Sequence, residues 1–393
     1  MEVNEMFSKI DELECLDNYE FISINLAVGR VLAEDIITTK PLPFADNSAL
    51  DGYAFNYNDI NSPLKILGTI FAGDKKEYSI GKNECYKIMT GAIFPTGSDT
   101  VVMLEDEAFD ENGNLIVPKY IKKDNARKLK GEELGVGEPL LSKSTLLNAA
   151  KIMLLASQGI SFVKVFAKPK IAVFSTGNEI NEPWQTCDDR SIYNANALGI
   201  SSLLLNNGFE SEYKGILKDE KQSLKQEIIK ASNYDVIITS GGASKGEADF
   251  MKSCLQELGY ECIVGSIDIR PAGPTKIFKK GKQLVFILPG NPMSCYIGCF
   301  LSAIPAIKKI SGRKEYLHET CEATFNGDMI QKGSRANIVL GNYIDGKFTP
   351  LNKNNKFSPA MIKPLANANA LYLSKIGENE ISDKTLIKII KLS

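Results

Sequence analysis

The sequence predicts a multidomain α/β protein, and three observations carry that prediction. The chain has 393 residues, enough for about two to four domains at roughly 100–200 residues each. Its central third repeats one pattern: a β-branched apolar run, a Gly-rich turn, then a stretch of helical period. On either side the apolar runs shorten and are split by Gly, Pro and Asn.

The repeat is read first. Ile171–Phe174 leads into Ser175-Thr176-Gly177-Asn178-Glu179, Val236–Thr239 into the Gly-rich run 240–249, and Leu284–Leu288 into Pro289-Gly290-Asn291-Pro292. Continuously apolar strands alternating with helices are what a parallel sheet covered on both faces requires. After Asn194 and Asn196, Ala197, Ile200 and Leu204 share a helical face that Gly208 ends, and Phe250, Cys254 and Leu258 repeat the stripe before Gly259. These features define an α/β domain over 168–313, whose ligands are expected beyond the carboxyl ends of its strands. Residues 1–40 and 126–167 read as a helical linking domain, with a helix over Ser144–Gln158 that places Leu147, Ala150 and Leu154 on one face. Between its parts, 41–125 reads as an inserted small β domain, with runs at Leu64–Ile70, Tyr86–Met89, Thr100–Leu104 and Leu115–Val117. Residues 314–393 read as a C-terminal domain of strands: Ala336–Tyr343, a hairpin turn at Asp345-Gly346, Ala370–Leu373 and Leu386–Ile390.

Composition excludes several function classes. With 46 Lys and Arg against 48 Asp and Glu, the formal charge is -2, so no bulk positive field is available for nucleic acid or an anionic membrane, and neither is expected as a partner. Acids begin at Glu2 without an apolar core behind basic residues, which argues against a signal peptide. The eight cysteines form no C-x-x-C pair and read as reduced, buried thiols, so a cytoplasmic location is expected. Residues 283–307 are charge-free and long enough to raise a membrane-span question, but Pro289-Gly290-Asn291-Pro292 breaks them into a strand and a helix. The lone histidine, His318, lies in a charged stretch and reads as surface decoration. Chemistry must therefore run on carboxylates, hydroxyls, backbone amides and a hard cation.

The turns supply those groups. In Thr239–Gly246, three glycines let backbone amides converge, so the loop suits a phosphate or another oxyanion; the competing reading is a tight connection that needs glycine for geometry alone. The Pro289–Pro292 turn, with Ser294 in the first helical turn, is a second anion candidate. Glu179 and Asp249 follow Gly turns at strand ends, and Asp219 either joins them or caps a helix. Carboxylates beside an anion site make sense if they hold a divalent cation that bridges to the anion. In the insert, Pro43–Ala54 surrounds Asp51 with turn formers, and Ile88–Val102 is a strand, a hydroxyl-rich Gly loop and another strand.

In order and spacing, the strings PFADNSALDGYA, IMTGAIFPTGSDTVVMLE, STGNEI, SGGASKGEAD and LPGNPMS resemble the molybdopterin molybdenumtransferase family (MoeA type), which includes the C-terminal domain of gephyrin. The resemblance spans nearly the whole chain. It implies a pterin-binding αβ domain, a helical domain, an inserted β domain, a C-terminal β-barrel and a homodimer. The implied reaction inserts molybdate into adenylylated molybdopterin with release of AMP, helped by Mg2+, and the implied partner in the pathway is a molybdopterin adenylyltransferase. Two rival functions are that adenylyltransferase itself and a diverged paralogue acting as a pterin-binding or scaffold protein.

Carried over residue by residue, the resemblance places catalytic roles on Asp51, Thr90, Glu179, Asp219 and Asp249, the last three as cation ligands. Substrate binding falls on Ser240, Gly241, Gly242, Ser244 and Gly246, and on Pro289, Gly290, Asn291, Pro292 and Ser294. Molybdate falls on Arg270, Pro271, Arg335 and Ser358, with Pro359 competing for the last of these positions. Four positions depart from the family pattern: Glu133 replaces a shorter acid, Ser266 a basic residue, Ala272-Gly273 part of a K-P-G-K-P run, and Asn337 an arginine. These departures remove positive charge where molybdate is expected.

Overall fold

The computed structural model describes residues 1–218, 220–241, 247–352 and 357–392, with backbone alone at 247–249. The chain divides into two compact units. One comprises Glu34–Lys143 and Ala150–Ser161; the other comprises Met1–Ala33, Ser144–Ala149 and Phe162–Ser393.

The first unit is built on a four-stranded sheet of β1 (Gly52–Phe55), β2 (Lys65–Ile70), β3 (Glu84–Ile88) and β4 (Thr100–Met103), in the order β2-β3-β1-β4. Strand β1 is central and fully buried, although Pro43–Ala54 reads in the sequence as turn formers. Its short GYAF run carries too little hydrophobic pattern to announce a strand. Tyr53, Phe55, Leu64, Cys85, Val102 and Leu115 close one face of the sheet. Leu115 joins Leu64 only through an isolated bridge. The helix expected over 144–158 contracts to α1 (Ala149–Ser157). Leu155 is its buried residue, Leu154 is half-buried and Ala150 is exposed, so the buried face is not the one expected from Leu147, Ala150 and Leu154.

The second unit holds the α/β layer and the C-terminal barrel. Four parallel strands form most of a six-stranded sheet: β5 (Ile171–Thr176), β6 (Glu212–Leu217), β7 (Val236–Ser240) and β10 (Gln283–Leu288), in the order β6-β5-β7-β10. β8 (Glu261–Val264) and β9 (Lys276–Lys280) extend it antiparallel beyond β10. These two were not legible as strands, since their charged residues mask a short apolar pattern. Helix α2 (Ala195–Asn206) buries Ala197, Ile200, Leu203 and Leu204, and the Asn194 side chain caps it by accepting from Ala197 N. Helices α3 (Lys221–Lys230) and α4 (Glu247–Glu257) cover the other face of the sheet. In α4 the buried stripe is Met251, Cys254 and Leu255, while Phe250 faces outward. An i, i+3, i+4 set subtends the sheet better than the i, i+4, i+8 row.

The apolar run after β10 becomes α5 (Pro292–Ile310), with one wider turn over Cys299–Ala303. Among the described residues it is the one helix long and apolar enough to cross a membrane, and 83% of that stretch is buried inside the protein, as in a core helix. The barrel comprises β11 (Thr320–Phe325), β12 (Ala336–Ile344), β13 (Lys347–Pro350), β14 (Ala370–Leu373) and β15 (Leu386–Lys391). The order β12-β13-β11-β15-β14 closes on itself through β12–β14, which leaves no open edge. Asp345-Gly346 forms the hairpin turn, both residues at positive φ (48° and 79°), as the sequence predicts.

His318 is not surface decoration. Its ring stacks on Phe300 at 3.8 Å between centroids, and its Nε2 lies 2.6 Å from the Phe300 carbonyl oxygen. The surrounding charges in sequence concealed this, because stacking against a helix is a tertiary contact. Burial lowers the imidazole to about 4 from an ordinary value of 6.5. Between those values the unfolded state binds more protons than the folded state, so stability should fall as pH drops through the window, by up to about 3 kcal/mol near pH 4. In His318→Gln the loss between pH 6.5 and 4 should be much smaller in urea melts. An acid limb unchanged in that variant would assign the loss to other groups.

Candidate active site

The carboxyl ends of β5, β7 and β10 lie side by side, with Ser175 opposite Ser240 and Ser240 opposite Leu288. Gly241 leaves β7 at φ +96° and donates its N–H to the Leu288 carbonyl at 3.0 Å. A Cβ there would sit 2.4 Å from Thr176 Oγ1 and 2.6 Å from the Thr176 carbonyl oxygen, so only glycine lets these strand ends approach so closely. The ends frame a cavity of about 520 Å³, lined by Thr176, Glu179, Ser240, Gly241, Gly290, Asn291 and Pro292 among others.

A buried polar chain supports its floor. Ser240 Oγ donates to Ser175 Oγ at 3.2 Å, Ser175 Oγ to Asn194 Oδ1 at 2.9 Å, and Asn194 Nδ2 to the Tyr213 hydroxyl at 2.7 Å. Tyr213 in turn donates to Glu182 at 2.5 Å, and burial together with that carboxylate raises its phenol. Asn196 donates to the Gly290 carbonyl at 2.7 Å and holds the second turn in place. That turn offers fewer donors than the sequence suggests. Pro292 has no N–H, and the Met293 N–H is already bonded to the Pro359 carbonyl at 3.0 Å.

A second cavity, of about 740 Å³, shares Asn291 with the first. Its lining includes Arg270, Pro271, Pro289, Ser294, Lys332 and Arg335. Short parallel pairing of Ile269-Arg270 with Ala336-Asn337 ties the α/β layer to the barrel at this point. Arg270 donates to Ser334 Oγ at 3.0 Å. Among the described residues, three cationic side chains and no acid line this cavity.

In the other unit, Asp51 accepts from both the Thr90 N–H and the Thr90 hydroxyl, on the same oxygen, at 2.6 and 2.7 Å. The two donors hold this exposed carboxyl below its ordinary range. Its charge and orientation are thus fixed by a loop 39 residues away.

Residues 1–159 match the family described as MoeA N-terminal region (domain I and II), and residues 172–309 match a probable molybdopterin binding domain. The chain is 30% identical to a molybdopterin molybdenumtransferase of Nostoc sp. over 99% of its own length and 92% of the relative's. It is 32% identical to that of Haemophilus influenzae over 81% and 80% of the two chains. This chain belongs to the molybdopterin molybdenumtransferase family. A crystal structure of the Pyrococcus horikoshii molybdopterin biosynthesis MoeA protein superposes with a TM-score of 0.81 at 28% identity, covering 100% of this chain and 99% of that one.

In this transferase, the residues singled out from the sequence fall into separate places. Glu179, Ser240, Gly241, Gly290 and Pro292 line the first cavity, Arg270, Pro271, Pro289, Ser294 and Arg335 the second, and Asn291 both. Ser358 is exposed and does not line the second cavity; its Oγ accepts from Ala360 N at 3.4 Å, while Phe357 and Pro359 do line it. Asp219, Gly242, Ser244, Gly246 and the Asp249 side chain lie outside the described residues. Of the departures, Glu133 and Ser266 are exposed and line neither cavity. Ala272 and Gly273 line the second cavity with Asn337.

Sequence reading missed Ser175, Thr176 and Asn194, whose roles depend on strand-end neighbours. It also missed Lys332, whose only local signal is a cation five residues before the departure at Asn337. The chemistry of the first cavity fits a hard cation in kind, being rich in oxygen and containing the Glu179 carboxylate. Among the described residues, no group of three or more His, Cys, Asp or Glu could hold a metal.

Proposed function

We propose that this transferase inserts molybdate into adenylylated molybdopterin and releases AMP. The observation that carries the reading is the pair of cavities that share Asn291: strand ends bared by Gly241 and Gly290 beside the Glu179 carboxylate in one, three cations without a described acid in the other. The first suits the pterin phosphates, since Gly241 and Gly290 bring bare backbone to its wall. The second suits molybdate, a tetrahedral dianion, with the Arg270 and Arg335 guanidiniums supplying charge-assisted hydrogen bonds. Arg270 is oriented by Ser334 and so presents its free edge without first reorganising.

Glu179 would hold a Mg2+ ion, with Asp219 and Asp249 as the further ligands the family resemblance implies, and the ion would neutralise charge on the anhydride. Asp51, fixed by Thr90, supplies a charged acceptor to the reaction. The enzyme acts as a homodimer in the cytoplasm and takes its substrate from a molybdopterin adenylyltransferase. The near-neutral composition supports a soluble setting without nucleic acid or membrane partners.

The test is direct. Purified protein incubated with adenylylated molybdopterin, Mg2+ and molybdate should release AMP, and omission of molybdate or Mg2+ should suppress the release. Consumption of ATP in place of AMP release would identify an adenylyltransferase. Bound pterin without any AMP release would identify a binding or scaffold protein.

A further inference from the structure

The departure at Asn337 does not leave the second cavity short of charge. Asn337 is buried, 5% exposed, and so cannot stand in for a guanidinium at the anion. Its side-chain amide instead donates to two backbone carbonyls, Lys332 at 2.9 Å and Arg335 at 3.1 Å, and its own N–H donates to Ser374 Oγ at 2.8 Å. One amide thus clamps both ends of the Lys332–Arg335 loop. That loop presents Lys332 and Arg335 to the cavity, and its Ser334 accepts from Arg270. A Cβ at Gly273 would lie 3.0 Å from the Ile269 carbonyl oxygen and 3.5 Å from Arg335 Nη1, so the cavity wall opposite the loop is kept bare where Arg335 approaches.

We propose that Lys332 is a third oxyanion-binding cation of this cavity, and that Asn337 is a positioning residue that fixes the loop carrying Lys332 and Arg335. The proposal rests on the reading of this cavity as the molybdate site and assigns that site a residue and a support which the family pattern does not place there. Lys332 is exposed and its ammonium makes no hydrogen bond or ion pair among the described residues, so it meets an incoming dianion without first breaking a contact. A lysine acts as a point charge, not as a fork, so it contributes attraction more than orientation. Asn337 determines where that charge stands.

Direct binding of molybdate alone to the full-length protein, measured by isothermal titration over a range of salt concentrations, tests the assignment. Lys332→Ala should weaken molybdate binding about tenfold and flatten its salt dependence, and Lys332→Arg should restore most of the affinity. Asn337→Leu should weaken molybdate to a similar degree, and Asn337→Asp, which sets a buried carboxylate against the two carbonyl oxygens in place of the donating amide, should weaken it further and lower the melting temperature as well. In turnover, both Lys332→Ala and Asn337→Leu should raise KM for molybdate while leaving KM for adenylylated molybdopterin unaltered. A merely structural Asn337 would lower stability and raise both KM values together. Unchanged molybdate affinity in Lys332→Ala overturns the assignment, as does a parent protein that binds no molybdate. A parent that binds molybdate but releases no AMP leaves the assignment standing and overturns the proposed reaction.

Discussion

Gly52→Ala should unfold the sheet of the Glu34–Lys143 unit. Gly52 opens the central strand β1, paired with Ile88 on one side and Met103 on the other. A Cβ at this position would lie 2.1 Å from the Val102 carbonyl oxygen and 2.6 Å from Val101 Cγ1, both far inside contact distance. The oxygen belongs to the backbone of the neighbouring strand, so relief requires moving β4 and breaking part of its ladder, not turning a side chain. The cost should exceed about 3 kcal/mol, in the range where overpacking and lost ladder bonds combine. Amide hydrogen exchange should show lost protection in β1, β3 and β4 with protection retained in β5, β7 and β10. AMP release should fall with it, because Asp51 precedes Gly52 and depends on the same sheet end to meet Thr90. Exchange rates equal to the parent's in β1 and β4 would show that the sheet accommodates the methyl group.

The second large effect is on turnover. Gly241→Ala should cut AMP release by at least about 100-fold, through two separate penalties. The positive φ disfavours any residue with a Cβ by about 1–2 kcal/mol, and the added methyl meets both the hydroxyl and the carbonyl of Thr176. Relief means spreading the ends of β5 and β7, the frame of the first cavity, while the buried strands behind them keep their register. Stability should therefore fall by only about 1–3 kcal/mol while pterin affinity collapses. Gly290→Ala is the internal comparison. It is the matching glycine on β10's turn, but its Cβ would meet nothing nearer than Gly241 Cα at 3.6 Å, so its loss should stay below about tenfold. Equal losses at the two glycines would mean that cavity volume matters and strand approach does not.

Much of this protein was legible because local pattern and tertiary role coincided. Ile171–Phe174, Val236–Thr239 and Leu284–Leu288 are continuously apolar since both faces of their sheet are covered, and a strand buried on both sides can be read from composition alone. The Gly turns that follow them could be placed at strand ends for the same reason. Asp345-Gly346 could be read as a hairpin turn because positive φ at two successive positions restricts the residues that fit there.

The reading failed where the signal was non-local. Strand β1 looks like a loop in sequence, since only its neighbours on either side make GYAF a strand. His318 looks solvated until Phe300 is brought against it. Asn337 looks like lost charge until its amide is seen to clamp the loop that carries Lys332 and Arg335.

The sequence by itself determined the α/β class, the three strand-turn-helix units, the Gly turns at their ends and, through ordered motifs, the family. Hydrophobic period and φ preference are properties of a few adjacent residues, so they survive in one dimension. Only the tertiary structure decided which charges share a cavity, which glycines sit against a neighbouring backbone, and which two carbonyls the buried Asn337 amide holds. Those facts depend on distances between residues far apart in the chain, and the chain order does not contain such distances.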